Sequence, residues 1–139
     1  MTRGAGRCAV LVFALALVAA APVAAKEGAQ AHLLTPLPIH ASAGALITVT
    51  WTVDVPGAGG KRAPFRAGGM FVRLIGRKGA SNTATAAQDG PPYTARVRVP
   101  RGGIRGIQIG LRGWAVTPSG SHPAPVLFPI TNNPLAPKP

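Results

Sequence analysis

The sequence predicts an all-β protein: a single antiparallel, immunoglobulin-like β-sandwich of about six to seven strands behind an N-terminal signal peptide. Three observations predict it. Beyond residue 25, apolar residues recur at every second position and form no run at helical spacing. Gly and Pro, 18 and 15 of the 139 residues, crowd the segments between the alternating runs, where they serve as turns. Several short runs, each bounded by such turns within about a hundred positions, match the cadence of a two-sheet sandwich.

The first element is the export signal. In "MTRGAGRCAVLVFALALVAAAPVAA", Arg3 and Arg7 make a positive start, residues 8–20 form an uncharged apolar run, and small residues follow. An uncleaved membrane anchor is the competing reading, but an alanine-rich stretch interrupted by Pro22 is barely long enough to span a bilayer. Two places satisfy the small-x-small rule for cleavage: after Ala25, at the usual distance from the apolar run, and after Ala31, which matches the A-x-A pattern better but leaves Lys26 and Glu27 inside the signal. The expected layout is therefore a signal over 1–25, with a cut after 31 as the alternative, a sandwich over 32–130 and a flexible tail over 131–139. The protein is expected to be exported, to a periplasm or outside the cell. Cys8 leaves with the signal, so the mature chain has no disulfide and no thiolate.

The strands follow in order. "HLLTPLPIHASAGA" adds an early strand or extended edge. In "LITVTWTVDV", Ile47, Val49, Trp51, Val53 and Val55 share one face, while Thr48, Thr50, Thr52 and Asp54 share the other. "MFVRLIG" groups Met70, Val72 and Leu74. "YTARVRV" turns Tyr93, Ala95, Val97 and Val99 inward and Thr94, Arg96 and Arg98 outward. "IQIGLRGWAV" aligns Ile107, Ile109 and Leu111, and a bulge at Gly113 would let Trp114 and Val116 continue the same face. Pro129 in "VLFPI" favours an edge position for the last strand. "PGAGGKRAPFRAGG", "GRKGASNTATAAQDGPP" and "TPSGSHPAP" read as loops, and "PRGG" as a hairpin turn joining the Tyr93 and Ile107 strands.

Charge and composition exclude several functions. From Lys26 onward the chain carries 13 basic and 3 acidic residues, a net charge of +10. A cut after Ala31 leaves 12 and 2, the same balance. Such a surplus attracts anionic lipid headgroups, cell-wall polymers or nucleic acid. Asp54 and Asp89 are the only side-chain carboxylates retained by both cuts, and Asp89 sits in a "QDGPP" turn where Asp serves the turn itself. No nucleophile elbow surrounds any serine, and no Gly-rich phosphate loop stands between a strand and a helix. No catalytic residue is expected, and the protein is read as a non-enzyme. Nucleic acid is not the expected partner either, since aromatics to stack bases are few and export removes the chain from cellular DNA.

Three histidines, His32, His40 and His122, fall in segments that read as loop or edge. They are either solvated without a joint role or candidate metal ligands. Copper(II) favours nitrogen and oxygen donors in a square arrangement. A chain beginning at His32 would offer an amine and an imidazole, and His40 or His122 would add a further donor. Met70 would add a thioether, although its strand position suits core packing. The run "PYTARVRVPRGGIRGIQIGLRGW" resembles the closing strands of exported bacterial β-sandwiches of the YtkA-like and CopC-like kinds. "AQAHLL" is similar to the junction at which CopC-like copper proteins expose an N-terminal histidine. By that resemblance His32 is a copper ligand; the Asp-x-His element that supplies the other ligands there is absent. No cofactor is required on the remaining evidence of the sequence, and copper is the one the resemblance implies.

The arginines form the second constellation. Arg96 and Arg98 share an outward face, Arg105 flanks the expected hairpin turn, Arg112 falls on the same side of the neighbouring strand, and Arg73 lies on a third strand. Together they make a basic stripe whose guanidinium groups suit bidentate contacts to phosphate or carboxylate. Exposed basic strand residues also discourage edge-to-edge pairing, which is the alternative reason for their presence. Trp51 and Trp114 are both expected to fill the core with their indole N–H groups satisfied locally, and a carbohydrate platform arises only if one faces outward. The expected function is a secreted binding module of the cell envelope. Its basic face would meet an anionic polymer or partner protein, with peripheral membrane contact open. The alternative is a copper-binding or copper-delivery domain built on His32.

Overall fold

The longest strand shows how the alternation becomes a sheet. A computed structural model describes residues 27–139, and in it β2 (Leu46–Pro56) buries Val49, Trp51 and Val53 and turns its threonines away from the core. The signal expected over 1–25 lies outside the described residues. β1 (Gln30–Leu33) pairs with one side of β2. The other side takes β6 (Tyr93–Arg98) along its first half and the three-residue β3 (Arg62–Pro64) along its second. The facing sheet has the order β10 (Val126–Phe128), β7 (Gly106–Leu111), β4 (Met70–Ile75), β5 (Ser81–Thr85). All ladders are antiparallel, and the arrangement is the expected antiparallel sandwich, with four strands in each sheet against the six to seven expected in all.

The core between the sheets gathers the inward sets named from the sequence: Met70, Val72 and Leu74 of β4, Tyr93, Ala95 and Val97 of β6, and Ile107 and Ile109 of β7. Trp51 stacks on Tyr93 with ring centroids 5.8 Å apart. The Tyr93 hydroxyl donates to the Phe65 carbonyl at 2.6 Å and accepts from the Ala67 N–H at 3.0 Å, tying the loop before β4 to the core. Trp51 is the less satisfied of the two, because its Nε1 has no hydrogen-bond partner among the described residues. The local partner expected for it is not there.

The sandwich is laced along both long edges. On one, Asn82 of β5 donates to the Arg98 carbonyl of β6 at 3.0 Å, and the Ala87 N–H reaches the Thr94 carbonyl at 2.9 Å. On the other, the Ala31 N–H donates to the Pro129 carbonyl at 2.8 Å, beside an isolated parallel bridge from Ala31 to Ile130. Residues from 131 onward, expected as a tail, continue this lacing: the Thr131 N–H donates to the Ala31 carbonyl, and Asn132 brackets Leu33 with two 2.8 Å bonds.

Three expectations are corrected. "PRGG" does not close a hairpin: β6 pairs with β2, β7 pairs with β4 and β10, and the segment crosses from one sheet to the other. Gly102 and Gly103, both at φ 83, permit the sharp crossing. Two of the supposed loops carry the strands β3 and β5, the latter with Asn82 and Ala84 as its modest inward residues. Trp114 is not in the core. Instead of bulging at Gly113, the chain leaves the sandwich as a two-stranded arm, β8 (Trp114–Thr117) and β9 (Gly120–Pro123), in which all eight residues are exposed.

Candidate functional site

The crossing of the "PRGG" segment divides the basic stripe. Arg96 and Arg98 lie on the outer face of β6, in the first sheet, whereas Arg73 lies on the outer face of β4, in the second. Arg112 follows the end of β7 at the base of the arm. A single row through all of them does not exist. Two groups replace it.

The first group occupies one end of the sandwich. The Arg77 N–H donates to the Arg101 carbonyl at 3.0 Å, the Arg105 N–H donates to the Ile75 carbonyl at 2.7 Å, and Arg98 Nη1 donates to the Gly44 carbonyl at 3.1 Å. Gly102 lets the Arg77 side chain lie against its backbone, where a Cβ would come within 2.6 Å of Arg77 Cγ. Lys78 caps the turn between β4 and β5 at φ 52, the one positive φ outside glycine among the described residues. Five exposed cations thus converge at this end: Arg77 and Lys78 on the β4–β5 turn, Arg101 and Arg105 on the β6–β7 crossing, and Arg98 at the end of β6, with Arg96 two residues up that strand. In the sequence, Arg77, Lys78 and Arg101 are marked only by their places beside Gly-rich turns.

The acidic residues are elsewhere. Asp54 is eight residues along β2 from Leu46, the partner of Arg98, which at about 3.3 Å per residue is roughly 26 Å away. It pairs with Arg62, which also donates to the Gly28 carbonyl at 2.6 Å. Glu27 precedes that same Gly28, and Asp89 lies against Gly68 in the loops before β4 and β6. The Asp54–Arg62 contact is the single ion pair among the described residues. Charge is screened over about 8–10 Å in physiological salt, so the acids do not offset the cationic end.

The second group lines a cleft of about 390 Å³ at the base of the arm, where Arg73, Arg112, Phe71, Thr83, Trp114 and Pro123 meet. Phe71 points out of the sheet yet is only 2 % exposed, because its ring fills the place a side chain at Gly110 would need; a Cβ there would come within 2.5 Å of Phe71 Cζ. The Arg73 guanidinium lies 5.6 Å from the centre of the Phe71 ring and donates through Nε to Thr83 Oγ1 at 3.1 Å and through Nη1 to Gln108 Oε1 at 3.4 Å, so three of its five N–H donors stay free. A larger hollow of about 470 Å³ covers the Asp54–Arg62 pair, where the cation already has its counter-charge.

The histidines are not gathered. His32 lies on β1 with Nδ1 2.9 Å from Thr131 Oγ1 and Nε2 3.5 Å from Asn132 Nδ2, so both ring nitrogens face polar neighbours. His40 sits in the turn before β2, and His122 is on the arm with Nε2 3.4 Å from Ser119 Oγ. No three His, Cys, Asp or Glu residues form a metal-ligating group among the described residues. Among those residues, also, no helix is long and apolar enough to cross a membrane. Comparison with protein-family models, curated proteins and solved structures found no match.

Proposed function

We propose that the chain is an exported, non-enzymatic binding module of the cell envelope whose cationic end engages an anionic envelope polymer. The observation that carries this reading is the separation of charge: five exposed cations on two adjoining loops and the neighbouring end of β6, no ion pair among them, and every acid toward the opposite end. Such an arrangement raises the local concentration of polyanions and speeds their capture. Lys78 adds a second support. A residue with a side chain at φ 52 costs about 1 kcal/mol relative to glycine, and Asn is the usual tolerated substitute, so a lysine there is explained better by its charge than by the turn. Replacing Lys78, Arg101 and Arg105 with Gln is expected to weaken binding to a polyphosphate matrix at least tenfold with no fall in thermal stability. Retention of full affinity by this variant overturns the proposal.

Copper binding by an N-terminal His32 remains the alternative proposal, and it needs cleavage after Ala31. That cut removes Ala29 and Ala31, which are 2 % and 0 % exposed, and the first two residues of β1. These losses favour cleavage after Ala25, which keeps β1 whole and His32 inside an ordinary peptide. N-terminal sequencing of the secreted protein separates the two: a start at Lys26 supports the polymer reading and a start at His32 the copper one.

A further inference from the structure

The arm between β7 and β10 is unlike the rest of the fold. Its eight residues bury no side chain; Trp114 is 70 % and Val116 83 % exposed. An isolated two-stranded hairpin is marginal in water, because its ladder bonds barely offset the backbone entropy of ordering it. Trp114, Val116, Ser121 and Pro123 alternate onto one face by their register, and Trp114 and Pro123 of that face line the cleft with Arg73 and Arg112. We propose that this cleft is a second binding site, separate from the cationic end, for a carboxylate-bearing sugar residue of an acidic polysaccharide.

Charge and shape select this occupant. A second copy of the chain would bring its own positive surplus against Arg73 and Arg112, and none of the three acids lines the cleft to offset it. An anion is drawn in by the same two guanidinium groups, which match a carboxylate in bidentate geometry. Arg112 is exposed and its side chain makes no hydrogen bond among the described residues; Arg73 is held by Thr83, Gln108 and the Phe71 ring but keeps donors to spare. The indole of Trp114 offers a flat apolar surface for the C–H face of a pyranose, and a space of about 390 Å³ accommodates one ring. A uronate-type unit satisfies both together, its carboxylate on arginine and its sugar ring on tryptophan.

The two tryptophans make the test direct, since Trp51 is fully buried and Trp114 is not. Titrating the full-length secreted protein with trigalacturonate is expected to quench its tryptophan fluorescence saturably, with affinity confirmed by calorimetry. Maltotriose, which lacks the charge, and tricarballylate, which lacks the ring, should each bind at least tenfold more weakly. Trp114→Ala and Arg112→Gln, both at exposed positions, should each lower the calorimetric affinity for trigalacturonate at least tenfold while leaving polyphosphate binding by the cationic end unchanged. Equal affinity for tricarballylate, full affinity in Trp114→Ala, absence of saturable binding, or a dimer dissolved by Trp114→Ala would each overturn the proposal.

Discussion

Tyr93 links two parts of the molecule through one hydroxyl. Burial pushes its pKa above the ordinary 10.0, and the hydrogen bond from the Ala67 N–H opposes that shift only in part. The protonated phenol is therefore favoured more in the folded than in the unfolded chain. Its contribution to stability is complete below about pH 10 and is lost as pH rises beyond it, because the unfolded chain releases the proton first. Tyr93→Phe leaves the Phe65 carbonyl and the Ala67 N–H without their partner and should cost about 1–3 kcal/mol at neutral pH. Denaturant melts at pH 8 and pH 11 should show a smaller gap between variant and parent at the higher pH. Gly110 makes a complementary case. A methyl group there collides with both the Phe71 ring and the Val126 carbonyl, so Gly110→Ala should destabilise by about 1–3 kcal/mol and raise the exposure of Phe71.

At the scale of elements, β1 carries more than its four residues indicate. Ala31 bonds to Pro129 and Thr131 and so fastens the two sheets along one edge. A chain begun at His32 forfeits two buried alanines and those bonds, a loss of about 2–4 kcal/mol from roughly 1 kcal/mol per small buried group or bond. Its Tm should fall by about 10 °C relative to a chain begun at Lys26, and calorimetry of the two purified forms measures it. Equal Tm values would show that β1 is dispensable and would restore the shorter mature form. The arm is the opposite kind of element, contributing no buried side chain, and its sequence carries no sign of leaving the sheet. Trp114 and Val116 continue an apolar alternation, which reads as core as long as the strand is assumed to continue. β5, in turn, was hidden by "SNTAT", whose inward Asn82 and Ala84 give almost no apolar signal.

For the whole molecule, the positive surplus is a field rather than a set of contacts. Its cationic end lies roughly three Debye lengths from Asp54 at physiological salt, so polyanions approaching that end meet nearly unopposed charge. Affinity for polyphosphate should therefore fall steeply with ionic strength, by an order of magnitude or more between 50 and 300 mM salt as a rough expectation for several phosphate contacts. Affinity insensitive to salt in this range would remove the electrostatic basis of the proposed function.

The sequence by itself determined the all-β class, the inward residues of β2, β4, β6 and β7, and the excess of positive charge, because each follows from local alternation or from simple counting. Tertiary structure alone decided which strands are neighbours. Alternation reports which face of a strand is buried but not whether the next strand pairs beside it or packs across from it, and a short turn with two glycines permits either. That choice sent Arg96 and Arg98 to one sheet and Arg73 to the other. It also gathered Arg77, Lys78 and Arg101 with Arg98 and Arg105 at one end, and placed Trp114 outside the core beside Arg73 and Arg112.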